Sequence, residues 1–530
     1  MNQFIGLASV AGIVLGVVLV TQMAFAGSLE APSGLFKDLN DEVAGDALMI
    51  NGTQLFVDDR IIGELDGVAK ALNQPVKHPK NPLMVPDKPW EEQYTFSSVM
   101  YDQEEGFFKM WYGAWLDDYK KQHICYATSA DGITWKKPIT TPWNSKEHHN
   151  KVFGGTKEFN CAGVFKDPTD PDGERRYKMV YSDYPDGTSK TASSSAAYSP
   201  DGIHWVPYEG NPLIPFSDAH CCPFWDARRG RYVTYLRYGP PNTRMISMTE
   251  SEDFVHWSPK ITLFRRKKMD QPLETKLYQM EVLPYGNHYF GLITTYHGET
   301  IEPIPPEKVA WADKSDVQLT YSRDGRIWHR VGKRGAIRES EFSEERDWET
   351  FAREATFIPW GEHGRDWDWG SLYPLQAPVV IGDEIRIYYA GATNRHWAPY
   401  HGDKDTKSGI GLATLRRDGF VSLDARGEGT MTTRTLLFIG DALEINADAS
   451  GGSIRVEALD AEGKVIEGFS KADCAEMTTD DVHAIVQWKG TTDCHLIQAT
   501  PIRLRFHLTR AKLYSFTPRI MHKHYVPSYD

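Results

Sequence analysis

Cysteine is scarce in this chain. Six cysteines in 530 residues cannot build a disulfide scaffold, and their spacing fits no zinc motif. Cys474 and Cys494 share a C-terminal segment in which an exported compartment permits a bridge. Cys221 and Cys222 are adjacent, which disfavours a mutual bond, and Cys125 and Cys161 read as buried thiols. Long basic runs are missing as well, and the formal net charge is −13. That balance argues against nucleic acid or an anionic membrane surface as partner, and a strongly anionic polysaccharide would need a local basic pocket. The N-terminal Met1-Asn2-Gln3 carries no Lys or Arg, yet Phe4 to Val20 is apolar and Ala24-Phe25-Ala26 precedes Gly27. Residues 1–26 therefore read as an export signal, a membrane anchor only if left uncleaved, and the protein as secreted or periplasmic. Oligomeric state leaves no mark in the sequence.

Aromatic residues, by contrast, are plentiful, with 16 Trp and 25 Tyr, suited to strand cores and to sugar-stacking platforms. Several stand in a phrase that recurs along the chain: Ser129-Ala130-Asp131-Gly132-Ile133-Thr134-Trp135, Ser199-Pro200-Asp201-Gly202-Ile203-His204-Trp205, Ser251-Glu252-Asp253-Phe254-Val255-His256-Trp257 and Ser322-Arg323-Asp324-Gly325-Arg326-Ile327-Trp328. A fifth, decayed copy is Arg417-Asp418-Gly419-Phe420-Val421. A repeated unit that cannot bury its own apolar face must stack on its neighbours. With strand-like runs and polar turns before each copy, the pattern predicts an all-β chain folded as a five-bladed β-propeller. The phrase itself reads as structural: Asp accepts turn N–H groups, Gly takes the positive φ and Trp fills the space between blades. From about Ala425 the repeat stops and alternating runs predict a β-sandwich. The expected organisation is a signal peptide at 1–26, a lead-in at 27–50, the propeller at 51–424 and the accessory sandwich at 425–530.

If the first strand of each blade lines the axis, side-chain alternation aligns Asp218, His220, Gln279, Glu281 and Gln376 on one face, with small Ser98, Gly163 and Cys222 where the axis is crowded. Acids at strand entrances add Glu92, Glu274, Asp366 and Asp368. The expected catalytic carboxylates are Asp218, Glu281, Glu92 and Asp368. The expected substrate contacts are His220, Gln279, Gln376, Tyr373, His297, Trp369 and Asn160. Two carboxylates across a cleft, one protonated and one ionised, are the minimum for cleaving a glycosidic bond. No metal or cofactor is required by these residues, although the fold leaves room for a structural calcium ion on its axis.

The export signal, the five phrases, Asn81-Pro82-Leu83 with Trp90-Glu91-Glu92, and the C-terminal sandwich together resemble the five-bladed propeller glycoside hydrolases related to families 32, 43 and 68. That resemblance implies an acid from each of the first three blades. Carried over by position, Glu92 is the first-blade acid and Asp218 the third-blade one. Blade two offers Glu158 and Asn160 but no Asp in an Arg-Asp-Pro setting, and blade one lacks Asn-Asp-Pro-Asn-Gly, which disfavours cleavage of sucrose or fructan. The expected function is a secreted glycoside hydrolase acting on a polysaccharide or oligosaccharide. The alternatives are a non-catalytic glycan-binding propeller and a propeller phosphorylase, the latter using His220, Arg244, His297, Arg395 and His396.

Overall fold

The computed structural model describes residues 47–521 apart from 117–120, 141–148, 155–158, 185–191, 239–243, 300–301, 338–349, 353 and 397–405. The expected export signal lies outside the described residues. Among these, no helix is long and apolar enough to cross a membrane.

Five antiparallel sheets form the blades of a propeller. Blade one runs outward through Gln93–Asp102, Phe107–Leu116, Lys121–Ser129 and Lys151–Gly154, and blade two through Phe159–Lys166, Tyr177–Asp183, Ser193–Ser199 and Val206–Pro207. Blade three comprises Asp218–Asp226, Arg231–Arg237, Ile246–Ser251 and Ile261–Phe264. Blade four is built on Lys276–Tyr285, His288–Tyr296, Ser315–Ser322 and Trp328–Gly332. Blade five uses Ser371–Pro374, Glu384–Ala392 and Ser408–Arg416, and takes its outermost strand, Val76–Lys77, from the other end of the propeller sequence. That exchange closes the ring, since a circle of sheets needs one blade to be completed by both ends of the chain. Asn81 reinforces the closure: its amide donates to Leu412 O at 2.9 Å and its Oδ1 accepts from Leu412 N at 2.9 Å. Asn211 clamps Ala196 of blade two in the same way. The Asn-Pro-Leu signal thus supplies a side-chain substitute for strand pairing.

The recurring phrases behave as latches. Asp131 Oδ1 accepts the backbone N–H groups of Ile133 and Thr134 at 2.8 and 2.7 Å, and Gly132 sits at φ 72°. Its carbonyl accepts the Tyr388 hydroxyl of blade five at 2.8 Å. Trp111 of blade one donates to Gly202 O, and Tyr235 of blade three to Gly325 O. These three glycine carbonyls are thus satisfied by an aromatic donor of the neighbouring blade, which seals two blades while filling the space between them, whereas the left-handed Phe254 of the remaining copy has its carbonyl bonded by Trp257 of its own phrase at 3.2 Å. The fifth copy has changed partner: Asp418 accepts the hydroxyls of Tyr285 and Ser515, tying the propeller to the C-terminal region.

That region is an all-β unit in which nine strands share one sheet around an apolar cluster that includes Phe438, Val456, Trp488, Phe506 and Phe516. The long strand Pro501–Arg519 pairs with five others. Strand Ile62–Leu72 pairs with Val421–Thr433, and Leu48–Ile50 and Gln54–Leu55 join the same sheet. Residues 51–72, expected within the propeller, are thus hydrogen-bonded into the accessory sheet, a long-range pairing with no local sequence pattern. Arg416 to Asn446 at 2.6 Å and Arg323 to Asp58 at 2.7 Å join the two parts. These contacts lie at the end of the propeller where the inner strands finish; the end where the inner strands begin is called the mouth below. Cys474 and Cys494 are separate buried thiols.

Candidate active site at the propeller mouth

The inner strands do not run as regular pleats from mouth to base. The pairing register slips between Thr95 and Ser97, between Asp218 and Cys221, between Leu277 and Gln279, and opposite Cys161, which has φ 55°. A bulge places two residues against one and re-aims side chains. It brings Tyr278, which simple alternation points away from Gln279, into a buried cluster with Cys161, Tyr296 and Tyr373. Ring centroids are 5.6 Å apart for Tyr278 and Tyr373 and 6.0 Å for Tyr278 and Tyr296. Blades four and five thereby contribute a buried cluster of three tyrosines near the start of the inner strands, with Cys161 of blade two against it.

Charged groups stand beside that cluster. Asp218 opens the inner strand of blade three and remains 44% exposed, accepting from Arg237 Nη2 at 2.6 Å and Nε at 3.1 Å. The Arg237 guanidinium lies 4.5 Å from the centre of the Tyr278 ring, and Arg244 packs 5.3 Å from the same ring and 5.0 Å from Tyr296. Glu299 pairs with Arg244 at 2.6 Å and with Lys276. Burial alone would raise the Glu299 pKa, but these two cations outweigh it and hold the carboxyl at about 2. His396, packed against Tyr278 and Tyr296, is pushed down to about 3 by burial and by the neighbouring Arg244 and Arg237. At neutral pH Glu299 is therefore ionised and His396 is a neutral imidazole.

One level deeper the axis is closed. His220 Nε2 and Glu281 Oε1 are 2.7 Å apart with side chains 1% and 0% exposed, and Gln279 Nε2 donates to Pro374 O at 3.0 Å. A Cβ at Gly163 would come within 2.5 Å of Gln376 Oε1, so the crowding expected from the small residues is real. The sequence columns do bring His220, Gln279 and Glu281 together, but in a sealed polar plug. Glu281 Oε2, Gln279 Oε1 and Gln376 Oε1 are buried with no hydrogen-bond partner among the described residues. They offer a calcium ion one carboxylate and two amide oxygens, against the roughly six to eight oxygens such an ion takes. A buried water needs only about two to four partners and suits this set.

The remaining expected residues are dispersed. Glu92 is exposed immediately before the inner strand of blade one, its backbone N–H donating to Trp115 O at 2.9 Å. Tyr373 belongs to the tyrosine cluster. His297 is buried just behind it, bonded to Thr275 at 2.8 Å and 3.1 Å from Asp316. Trp369 lies between Lys314 and Arg395, at 5.3 and 5.1 Å. Asp368 is away from the mouth: it is 2% exposed, accepts from Lys77 Nζ at 2.6 Å and Tyr389 OH at 3.0 Å, and anchors the closing strand of blade five. Glu274 pairs with Lys308, and Asp366 with Arg365. Glu158 and the side chain of Asn160 lie outside the described residues. Arg237, Lys276, Tyr278, Tyr296 and Glu299 were not singled out from sequence. Arg237 was the most accessible of these, since it ends the strand that pairs with Asp218.

No protein-family model and no curated protein matches the chain. Solved structures that it resembles include an N-acetylgalactosamine deacetylase from F. plautii in complex with blood group B trisaccharide, at 14% identity over 67% of this chain and 97% of that one, with a TM-score of 0.43. An α-L-arabinofuranosidase from Podospora anserina in complex with cellotriose matches at 12% identity over 65% and 97%, with a TM-score of 0.41. The catalytic domain of a Coprinopsis cinerea GH62 α-L-arabinofuranosidase matches at 14% identity over 65% and 97%, with a TM-score of 0.40.

Proposed function

We propose that this protein is a carbohydrate-active enzyme that cleaves glycosidic bonds at the propeller mouth. The observation that carries the reading is Asp218, a carboxylate half open to solvent, fixed by a bidentate guanidinium beside a cluster of three tyrosines. Only the edges of Tyr278 and Tyr373, 8% and 9% exposed, are left to meet a sugar C–H surface, while Tyr296 is fully buried with its hydroxyl on Asp313. A carboxylate held in place by a guanidinium fits the base or nucleophile of a carboxylate pair. Glu92, at the mouth end of blade one, is the corresponding proton donor across the opening. The substrate is a polysaccharide or oligosaccharide reaching an exported protein, consistent with the signal-like 1–26. The test is reducing-end release from a panel of glycans by the wild type, Asp218→Asn and Glu92→Gln. Turnover by the wild type that both variants lose, with binding retained, supports the assignment; wild-type rates in both remove it. Glycan binding without turnover by the wild type makes the protein a lectin-like propeller instead.

A phosphate-dependent form of the same cleavage is the second reading, and one observation favours it. Arg237, Arg244 and Lys276 gather beside His396 around two carboxylates, a cation-rich corner that would hold an oxyanion next to the sugar. Release of sugar phosphate only when inorganic phosphate is added separates this reading from hydrolysis.

A further inference from the structure

Two aromatic rings on the rim of blade three are left in solvent beside Asp218. Phe216 is 67% exposed and Tyr238 is 38% exposed. Phe216 has φ 55°, a left-handed conformation that bulky side chains rarely adopt. The neighbouring backbone imposes it. Phe216 N–H donates to Ser193 Oγ at 3.3 Å, Ser217 N–H donates to Ala192 O at 3.0 Å, and the Ser217 hydroxyl donates to Ile214 O at 3.1 Å. Ser217 is buried while the ring before it is turned outward. Tyr238 directly follows Arg237, the residue that holds Asp218, and its N–H donates to Met245 O at 3.1 Å. Lys260 ties the two together: its ammonium donates to Pro215 O at 2.7 Å and lies 4.7 Å from the centre of the Tyr238 ring.

We propose that Phe216 and Tyr238 form an outer subsite that stacks a further sugar ring of an extended glycan whose reacting end lies beside Asp218. This rests on the reading of the mouth as a carbohydrate site and adds that its substrate is a chain of several sugars. Continuity selects the occupant. Phe216 is two residues from Asp218, Tyr238 directly follows Arg237, and Lys260 bridges the Tyr238 ring and the residue before Phe216, so both exposed rings are tethered next to the backbone of the same ion pair. A backbone held against its preference to keep an apolar ring in water is explained by a ligand face that covers the ring. Sugar rings present such faces, and stacking on them weakens sharply when the aromatic group is removed.

The experiment is calorimetric titration of the full-length protein with xylo-, manno-, cello- and galacturono-oligosaccharides of two to six sugars. It compares the wild type with Phe216→Gly, which removes the ring and relaxes the backbone, and with Phe216→Trp. For the series that binds, Phe216→Gly is expected to weaken the longest chains about tenfold, to leave the disaccharide within about twofold, and to be rescued by Phe216→Trp. Equal effects at every length, or none at any length, overturn the subsite and leave the reading of the mouth standing. Failure of the wild type to bind any of these glycans overturns both. Thermal melting of each variant confirms the fold, which the exposed ring does not support.

Discussion

Asp218 and His220 lie two residues apart on the inner strand of blade three, and each pairs with an oppositely charged or polar partner. Asp218 meets Arg237 at the mouth, where its side chain is 44% exposed, and His220 meets Glu281 in the axial plug, where both side chains are at most 1% exposed. The chemistry of the groups is similar; their depth is not. A fully buried acid cannot touch a substrate and acts on the fold, whereas the same kind of group one level higher is open to solvent. Depth along the axis, more than residue type, separates the carboxylate proposed for catalysis from the buried one in the plug.

The comparison breaks most visibly in turnover. Asp218→Asn is expected to lower the rate by about 10²- to 10⁴-fold with little change in melting temperature, since the carboxylate is half exposed. Initial rates and melts on one preparation check both halves, and unchanged rates would move the chemistry elsewhere. Glu281→Ala should do the reverse. Removing one partner of a buried pair costs on the order of 3–5 kcal/mol, read by denaturant unfolding, while turnover per folded molecule persists. A Glu281→Ala protein as stable as the wild type would show that the plug is not held by the His220–Glu281 contact.

A smaller effect comes from pH. Burial, reinforced by Arg244 and Arg237, keeps His396 down to about 3, and burial with the nearby Arg323 and Arg228 outweighs Asp58 to keep His288 down to about 4, against an ordinary 6.5. Between these values and 6.5 the unfolded chain binds protons that the folded one refuses. Stability is then fully present above pH 6.5 and declines as pH falls toward 4, with a limiting slope of about 1.4 kcal/mol per pH unit for each imidazole. Denaturant titrations across that window test the slope, and a flat profile would contradict neutral, buried imidazoles. The least effect is expected at a latch. Asp131→Ala removes the acceptor of two backbone N–H groups in an exposed turn, costing about 1 kcal/mol and leaving glycan binding unchanged. Lost glycan binding in that variant would place function in the repeated phrase.

The architecture was legible because the latch leaves a signature in seven consecutive residues. Ser129 to Trp135 is a turn, a left-handed glycine and an interblade tryptophan, and nothing else satisfies that set of demands as economically. The accessory sheet was legible at its C-terminal end but not in Ile62–Leu72, whose partner lies roughly 350 residues away in sequence. The site was half legible. Period-two alternation placed His220, Gln279 and Glu281 on one face, yet it could not show that this face is sealed. The bulges at Cys161 and Tyr278 broke the period just where the mouth begins, which hid Tyr278. Arg237 and Lys276 were hidden for a different reason: they come from strand ends whose convergence depends on the closure of the ring. Asp368 looked like a mouth acid because it precedes an inner strand, and Lys77, which claims it, comes from the other end of the propeller sequence.

The central claim is that the mouth, not the plug or another cleft, receives the glycan. A crystal structure of the wild-type protein with a bound oligosaccharide tests it most directly. The account predicts a sugar ring over Tyr278 and Tyr373 with an oxygen in hydrogen-bond reach of Asp218. A cavity of about 1220 Å³, lined by Lys70, Lys333, Arg334, Phe351 and Arg426, lies between the accessory sheet and blade four. Sugar bound there alone, with the tyrosine cluster bare, would contradict the account.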